Sequence, residues 1–291
     1  MRTILILALI SVLALAACTA DPTPSGDGTL QVVASFYPLA VAAGEVGGSR
    51  VRVADLTPPG VEPHDLELTT DQVDSILDAD LMVYLGGGFQ PAVEDALAMR
   101  EGPSLDALAA VTDPDDRDDP HVWLDPVRMQ HLVGAIEHAL ADLDPEGAAK
   151  YADNADLFSS RLTELNVTYA NELEDCERNL IVTAHDAFGR LADRYGLRVE
   201  SIAGISPEAE PSPQRLDDLV ELVEREGVTT IFTEELVSPQ VAETLAREVG
   251  VKTAVLSPLE GLSEEQQREG LDYVGVMETN LAVLTGALGC R

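Results

Sequence analysis

The sequence predicts an α/β protein made of two Rossmann-like βα lobes joined by one long helix, with a cleft between them, ahead of a single domain that carries a long surface helix. Three observations carry this. Short β-rich apolar runs alternate with longer helical patterns, the signature of parallel sheets covered by helices. One helical stripe of about thirty residues interrupts that alternation mid-chain. The 291 residues are 45% hydrophobic, too apolar for a disordered acidic tail and long enough for about one to two domains of ~150 residues each.

In chain order, residues 1–17 read as a lipoprotein signal peptide. Arg2 supplies a positive start, and residues 4–17 are an uncharged apolar run, shorter than the ~20 residues a spanning helix needs. The run ends in Leu15-Ala16-Ala17-Cys18, which looks like a bacterial lipobox. Cleavage before Cys18 would leave its sulfur to carry the lipid. Residues 18–29, rich in Pro, Gly, Ser and Asp, then form a flexible tether. The expected location is the outer face of a bacterial cytoplasmic membrane, with the chain held there as a monomer by its lipid anchor.

The N-terminal lobe is expected over residues 30–143, with strands at 30–35, 51–56 and 81–85 and helices at 38–46, 71–79, 91–99 and 126–143. The linker helix is expected over 144–176. Asp144 suits an N-cap and Pro145 the first helical position. From there Tyr151, Ala155, Phe158, Leu162, Leu165, Tyr169 and Leu173 recur every three or four residues as one apolar stripe. The C-terminal lobe, 177–291, has strands expected at 180–183, 199–202, 230–233 and 253–256. Its helices are expected at 187–195, 212–226, 239–249 and 263–285. Once Cys18 is set aside, Cys176 and Cys290 remain as an even pair in an oxidising compartment. A disulfide pinning the C-terminus is the favoured reading, ahead of a thiolate metal site, which wants more cysteines.

Charge narrows the partners. With 18 Lys+Arg against 52 Asp+Glu the formal net charge is −34. Such a surface repels nucleic acid and anionic lipid, so membrane attachment has to come from the lipid anchor and not from a basic patch.

Five histidines bear on the chemistry. His64, His121 and His185 lie in loops that adjoin strands or open helices, in Pro63-His64-Asp65, Pro120-His121-Val122 and Ala184-His185-Asp186. Loops of this kind converge at the carboxyl ends of parallel strands. Three imidazoles meeting there would suit a borderline metal such as zinc, with Asp65 and Asp186 placed to orient the rings. Spacings of 57 and 64 residues separate them, so only the fold can bring them together. His131 and His138 lie seven apart on one helix face, too far to share one ion, and read as solvated.

Longer motifs add a resemblance. The stretch Gly60-Val61-Glu62-Pro63-His64-Asp65-Leu66-Glu67-Leu68, the stretch Asp119-Pro120-His121-Val122-Trp123-Leu124-Asp125-Pro126, the stretch Thr183-Ala184-His185-Asp186-Ala187-Phe188 and the stretch from Ile205 to Pro213 occur in that order behind the lipobox. Together they resemble the zinc/manganese substrate-binding lipoproteins of ABC transporters. The resemblance implies two lobes on a rigid helix and a metal in the cleft, with His64 and His121 from the first lobe and His185 from the second. Manganese-type members carry Glu where His185 stands, so the chain is similar to the zinc type. Imidazole over carboxylate favours Zn2+ on ligand softness as well, with Mn2+ as runner-up.

Two departures follow from the same comparison. The family's aspartate ligand slot holds Ser257 here, within Val255-Leu256-Ser257-Pro258-Leu259, and a hydroxyl is a poor zinc ligand. The fourth position therefore falls to water first, with Glu62, Glu67, Glu234, Glu235 or Glu260 behind it. The loop at 113–119 (DPDDRDD) replaces the His-rich loop of zinc-type relatives. It reads as solvated, with weak cation gathering as the sharper alternative. The function implied is capture of Zn(II) outside the cytoplasmic membrane and delivery to the permease and ATPase subunits of an ABC importer, with no catalysis. Mn(II) capture and metal-dependent adhesion are the alternatives. A zinc hydrolase would need a water on the metal and a base such as Glu62 or Glu67.

Overall fold

The computed structural model describes residues 28–112 and 118–291. The signal peptide, Cys18, most of the tether and residues 113–117 of the acidic loop lie outside the described residues.

Two four-stranded parallel sheets organise the chain. In the first, β1 (Leu30–Ala34), β2 (Val51–Asp55), β3 (Leu81–Tyr84) and β4 (Ser104–Asp106) run in the order β2-β1-β3-β4. In the second, β5 (Leu180–Thr183), β6 (Arg198–Ser201), β7 (Thr230–Thr233) and β8 (Lys252–Val255) repeat it as β6-β5-β7-β8. The first strand of each lobe is thus interior, and the chain reverses its direction of winding beside it. That reversal opens a crevice at the carboxyl ends of the strands.

The helices of the first lobe are α1 (Tyr37–Gly47), α2 (Thr70–Asp78), α3 (Pro91–Leu97), α4 (Ala107–Val111) and α5 (Pro126–Leu143). The second lobe has α7 (Gly189–Tyr195), α8 (Pro213–Glu226), α9 (Gln240–Val249), α10 (Glu264–Glu269) and α11 (Tyr273–Leu288). Side chains start several of them: Thr69 and Ser263 form capping boxes with Gln72 and Gln266, and Asp125, Ser212 and Asp272 accept from backbone N–H groups.

Between the lobes runs α6 (Ala148–Glu172), about 37 Å long at 1.5 Å per residue. It starts four residues later than the sequence predicts. Asp144 closes α5, and its carboxylate accepts from Arg50 Nε at 2.7 Å, Tyr151 Oη at 2.7 Å and Gly147 N at 3.2 Å. Those partners fold 144–147 into a turn. Every member of the predicted stripe, from Tyr151 to Leu173, is buried. The helix packs on α1 and α5 on one side and on α11 on the other. One continuous apolar core therefore runs from β1 through Phe158, Leu162 and Tyr169 to Leu281 and Leu288, tying the lobes together by burial.

The expected C-terminal helix is two. Gly270, at φ 73°, ends α10 in the left-handed conformation, and Asp272 caps α11 through Gly275 N. Two short elements escape the sequence reading, β4 and α4, because Ser104-Leu105-Asp106 has no apolar run to mark it. Cys176 and Cys290 form a disulfide that fastens the end of α11 to the start of the second lobe. It closes a loop of 114 residues, so replacing both cysteines with alanine should lower unfolding stability by about 2–5 kcal/mol. Urea denaturation monitored by circular dichroism checks this; an unchanged midpoint would contradict it.

Candidate metal centre

The sheets face one another across the cleft, and each site residue sits beyond the carboxyl end of a strand or in the loop before α5. His64 lies beyond β2, His185 stands two residues past β5, Glu234 follows β7 directly and Glu260 lies beyond β8. Because β5 and β7 are neighbours, residues 185 and 234 meet at the reversal point although 49 positions separate them. His121 leads into a single 3-10 turn, Val122–Leu124, ahead of α5.

The fold brings His64, His121 and His185 together with Glu260. One oxygen, Glu260 Oε1, lies 3.2 Å from His64 Nε2, 3.3 Å from His121 Nε2 and 3.4 Å from His185 Nε2. His121 and His185 approach Nε2 to Nε2 at 3.4 Å. A tetrahedron with metal–ligand arms of ~2.0–2.1 Å has edges of about 3.3–3.4 Å. Three of the six separations have that length, a fourth is 3.2 Å, and all six are within 4.8 Å. The side chains of His121 and His185 are fully buried, and those of Glu260 and His64 are 2% and 8% exposed. Phe89 packs on His64 at 4.3 Å between ring centroids and Trp123 on His121 at 5.1 Å. Burial behind this aromatic wall strengthens any charge interaction at the site.

Two rings are aimed by carboxylates. His121 Nδ1 meets Asp119 Oδ1 at 2.8 Å, and the same oxygen accepts from His121 N at 2.9 Å. His185 Nδ1 meets Glu234 Oε2 at 2.7 Å, while Glu234 Oε1 accepts from His185 N at 3.1 Å. Holding the Nδ1 proton leaves each Nε2 facing the centre. The orienting residues are thus Asp119 and Glu234. Asp65, the expected partner of His64, is exposed and its backbone N–H donates to Glu62 Oε2. The backbone N–H of Asp186, half-buried, donates to Gly204 O. Asp119 belongs to the acidic loop that reads as solvated, and its position two residues before His121 is the local signal for its role.

Of the candidates for the fourth position, Glu260 is the one that the fold places beside the three imidazoles. Water led the sequence reading, and Ser257 held the family's ligand slot. In the fold, Ser257 builds the turn: its N–H donates to Asn280 Oδ1 at 2.9 Å, its carbonyl accepts from Asn280 Nδ2 at 2.7 Å, and its Oγ accepts from Leu259 N at 3.3 Å. Leu259 then takes φ 55°, the one non-glycine residue at positive φ among the described residues. That strain, about 1–3 kcal/mol, turns Glu260 into the cleft. Of the other glutamates, Glu67 is exposed and Glu235 Oε1 accepts from Gln266 Nε2 at 2.7 Å. Glu62 is half-buried beside Glu260; burial first and the Glu260 charge second push its carboxyl up to about 8, so it is largely protonated at neutral pH. His131 and His138 are exposed on α5, as expected.

Electrostatics set the terms for a cation. Burial alone would lower the pKa of both inner rings, but Asp119 and Glu260 hold His121 above the ordinary imidazole range, and Glu234 and Glu260 hold His185 up to about 10. Burial opposes charge on Glu260 too, and the three imidazoles outweigh it, holding its carboxyl well below the usual range. In the metal-free protein the raised His185 pKa stabilises the fold below pH ~6.5, and that contribution fades as pH rises through about 10. The Glu260 contribution is present above pH ~4.5 and is lost at more acid pH. A metal must displace the protons on Nε2, so affinity should rise with pH, about tenfold per unit for each proton released. Calorimetric titration with zinc at pH 7 in buffers of different ionisation enthalpy should register at least one proton released per ion; release of none would contradict this.

The chain matches the family described as zinc-uptake complex component A, periplasmic (ZnuA), over residues 32–287. It is 36% identical to the zinc-binding protein AdcA of Streptococcus pyogenes serotype M6, across 97% of this chain and 61% of that protein; the chain therefore spans under two thirds of that relative's length. Its fold is similar to the crystallised Zn(II)-bound ZnuA-like domain of Streptococcus pneumoniae AdcA, with TM-score 0.78 and 37% identity over 90% of this chain and 99% of that one. It is similar also to the laminin-binding protein Lmb of Streptococcus agalactiae, described as a bifunctional protein with adhesin and metal-transporting activity, with TM-score 0.82 and 33% identity over 89% and 99%. With a family match that spans both lobes and the cleft, the chain belongs to the ZnuA family of zinc-uptake components.

Proposed function

We propose that the chain captures Zn(II) outside the cytoplasmic membrane and delivers it to an ABC importer, with His64, His121, His185 and Glu260 as the four ligands. The observation that carries this is the meeting of three Nε2 atoms on one carboxylate oxygen at tetrahedral separations. Three imidazoles and one carboxylate suit zinc; manganese prefers more oxygens and six positions. The zinc named for the AdcA relative and bound in its crystallised domain supports the same choice. Cys18 is the proposed lipid anchor, with the chain acting as a monomer at the outer membrane face. No described helix is long and apolar enough to cross a membrane.

A carboxylate in the fourth position leaves a four-ligand shell closed, whereas a hydrolytic zinc needs a place for water; the arrangement fits carriage and not catalysis. The likeness to Lmb favours a second, compatible reading as an adhesin, tested by binding to immobilised laminin with and without zinc. The transport reading is tested by placing the lipidated chain with its permease and ATPase in proteoliposomes. Zinc should accumulate with ATP only when the chain is present. Accumulation at the same rate without it would overturn the reading.

A further inference from the structure

The segment that carries His121 belongs to the first lobe by sequence, yet the second lobe grips it. Arg190, in the first turn of α7, donates from Nε at 3.2 Å and from a terminal nitrogen at 2.9 Å to the Asp119 carbonyl. Its Nε also lies 3.6 Å from Asp119 Oδ2. One turn on, Arg194 forks onto the Asp125 carboxylate at 2.9 and 2.6 Å. Between those two points Trp123 Nε1 donates to Pro258 O at 2.7 Å, and Tyr273 Oη donates to Trp123 O at 2.6 Å. Arg190, Trp123 and Tyr273 are buried.

Asp119 is the junction. Its carbonyl is held by the second lobe and its carboxylate holds His121. The approach is close enough to depend on glycine: a Cβ at Gly189 would stand 2.7 Å from Asp119 Oδ2.

We infer that Arg190 is a positioning residue for metal binding: through Asp119 it ties the aim of the His121 ring to contact between the lobes, so that parting the lobes along α7 loosens the ion. The inference rests on the proposed role of His121 as a ligand. It gives an importer a mechanical route to release, since displacing α7 by an ångström or two would unseat Asp119 without touching a ligand directly.

The test is zinc affinity and dissociation rate in the full chain, by competition with a chromophoric chelator. Arg190→Ala should weaken zinc binding about 10- to 100-fold through faster dissociation. In an Asp119→Ala background the same substitution should change affinity by less than about threefold, because the link is already cut. Gly189→Ala reaches the same carboxylate from the other side. Alanine favours helix over glycine, so weakened zinc binding with no loss of metal-free melting temperature would separate positioning from general destabilisation. Arg190→Lys, a compact cation without the fork, should restore only part of the affinity, and covers the case in which Arg190→Ala does not fold. Additive effects of the Asp119 and Arg190 substitutions, or unchanged affinity in Arg190→Ala and Gly189→Ala beside a zinc-binding unsubstituted chain, would overturn the inference alone. No zinc binding by the unsubstituted chain would overturn the ligand reading together with it.

Discussion

Glu260→Ala should weaken zinc binding by about 60- to 700-fold, while Ser257→Ala should leave it within about threefold. Removing one of four ligands forfeits roughly a quarter of a binding free energy on the order of 10–16 kcal/mol, and each 1.4 kcal/mol is a factor of ten. Among the described residues, Glu260 is also the carboxylate that approaches all three imidazoles. Ser257 contributes a turn and lies between Asn280 and Leu259, so its loss should appear in stability and not in affinity. Isothermal titration with a competing chelator measures both. Equal losses would mean that the serine position takes part in binding.

His185→Ala should destabilise the metal-free protein by about 3–5 kcal/mol at pH 7, the range for breaking a buried ion pair from one side. The ring lies between Glu234 and Glu260, which are 6% and 2% exposed. Without it two buried carboxylates face each other with one fewer cation. Adding Glu234→Gln to His185→Ala should recover part of the loss, since the amide removes one of those charges. Urea denaturation of the three chains tests this, and a metal-free His185→Ala protein as stable as the parent would contradict the electrostatic account of the cleft.

Much of the fold is legible in the sequence because its signals are local. Val32, Val33, Ile181, Val182, Ile231 and Phe232 lie in short apolar runs that become buried strands, and the stripe of α6 is written out at helical spacing. The three histidines are legible through the motifs around them. The rest of the site is not, for physical reasons. Glu260 depends on a backbone excursion at Leu259, a residue type that carries no turn signal, and the motif comparison points three positions early, to Ser257. Glu234 acts on His185 only because β7 is laid beside β5, so its role lies in strand order and not in neighbouring residues. Asp119 is hidden in a run of aspartates whose composition reads as solvent-facing. Its task emerges only when Arg190 and Gly189 arrive from the other lobe.

The most direct test of the metal centre is the metal content of the chain after exposure to equimolar zinc and manganese, read by elemental mass spectrometry. One zinc per chain is expected, and none in a His64→Ala, His121→Ala, His185→Ala variant that still folds. Stoichiometric manganese, or zinc retained by the triple variant, would contradict the assignment of the ion to three imidazoles and Glu260.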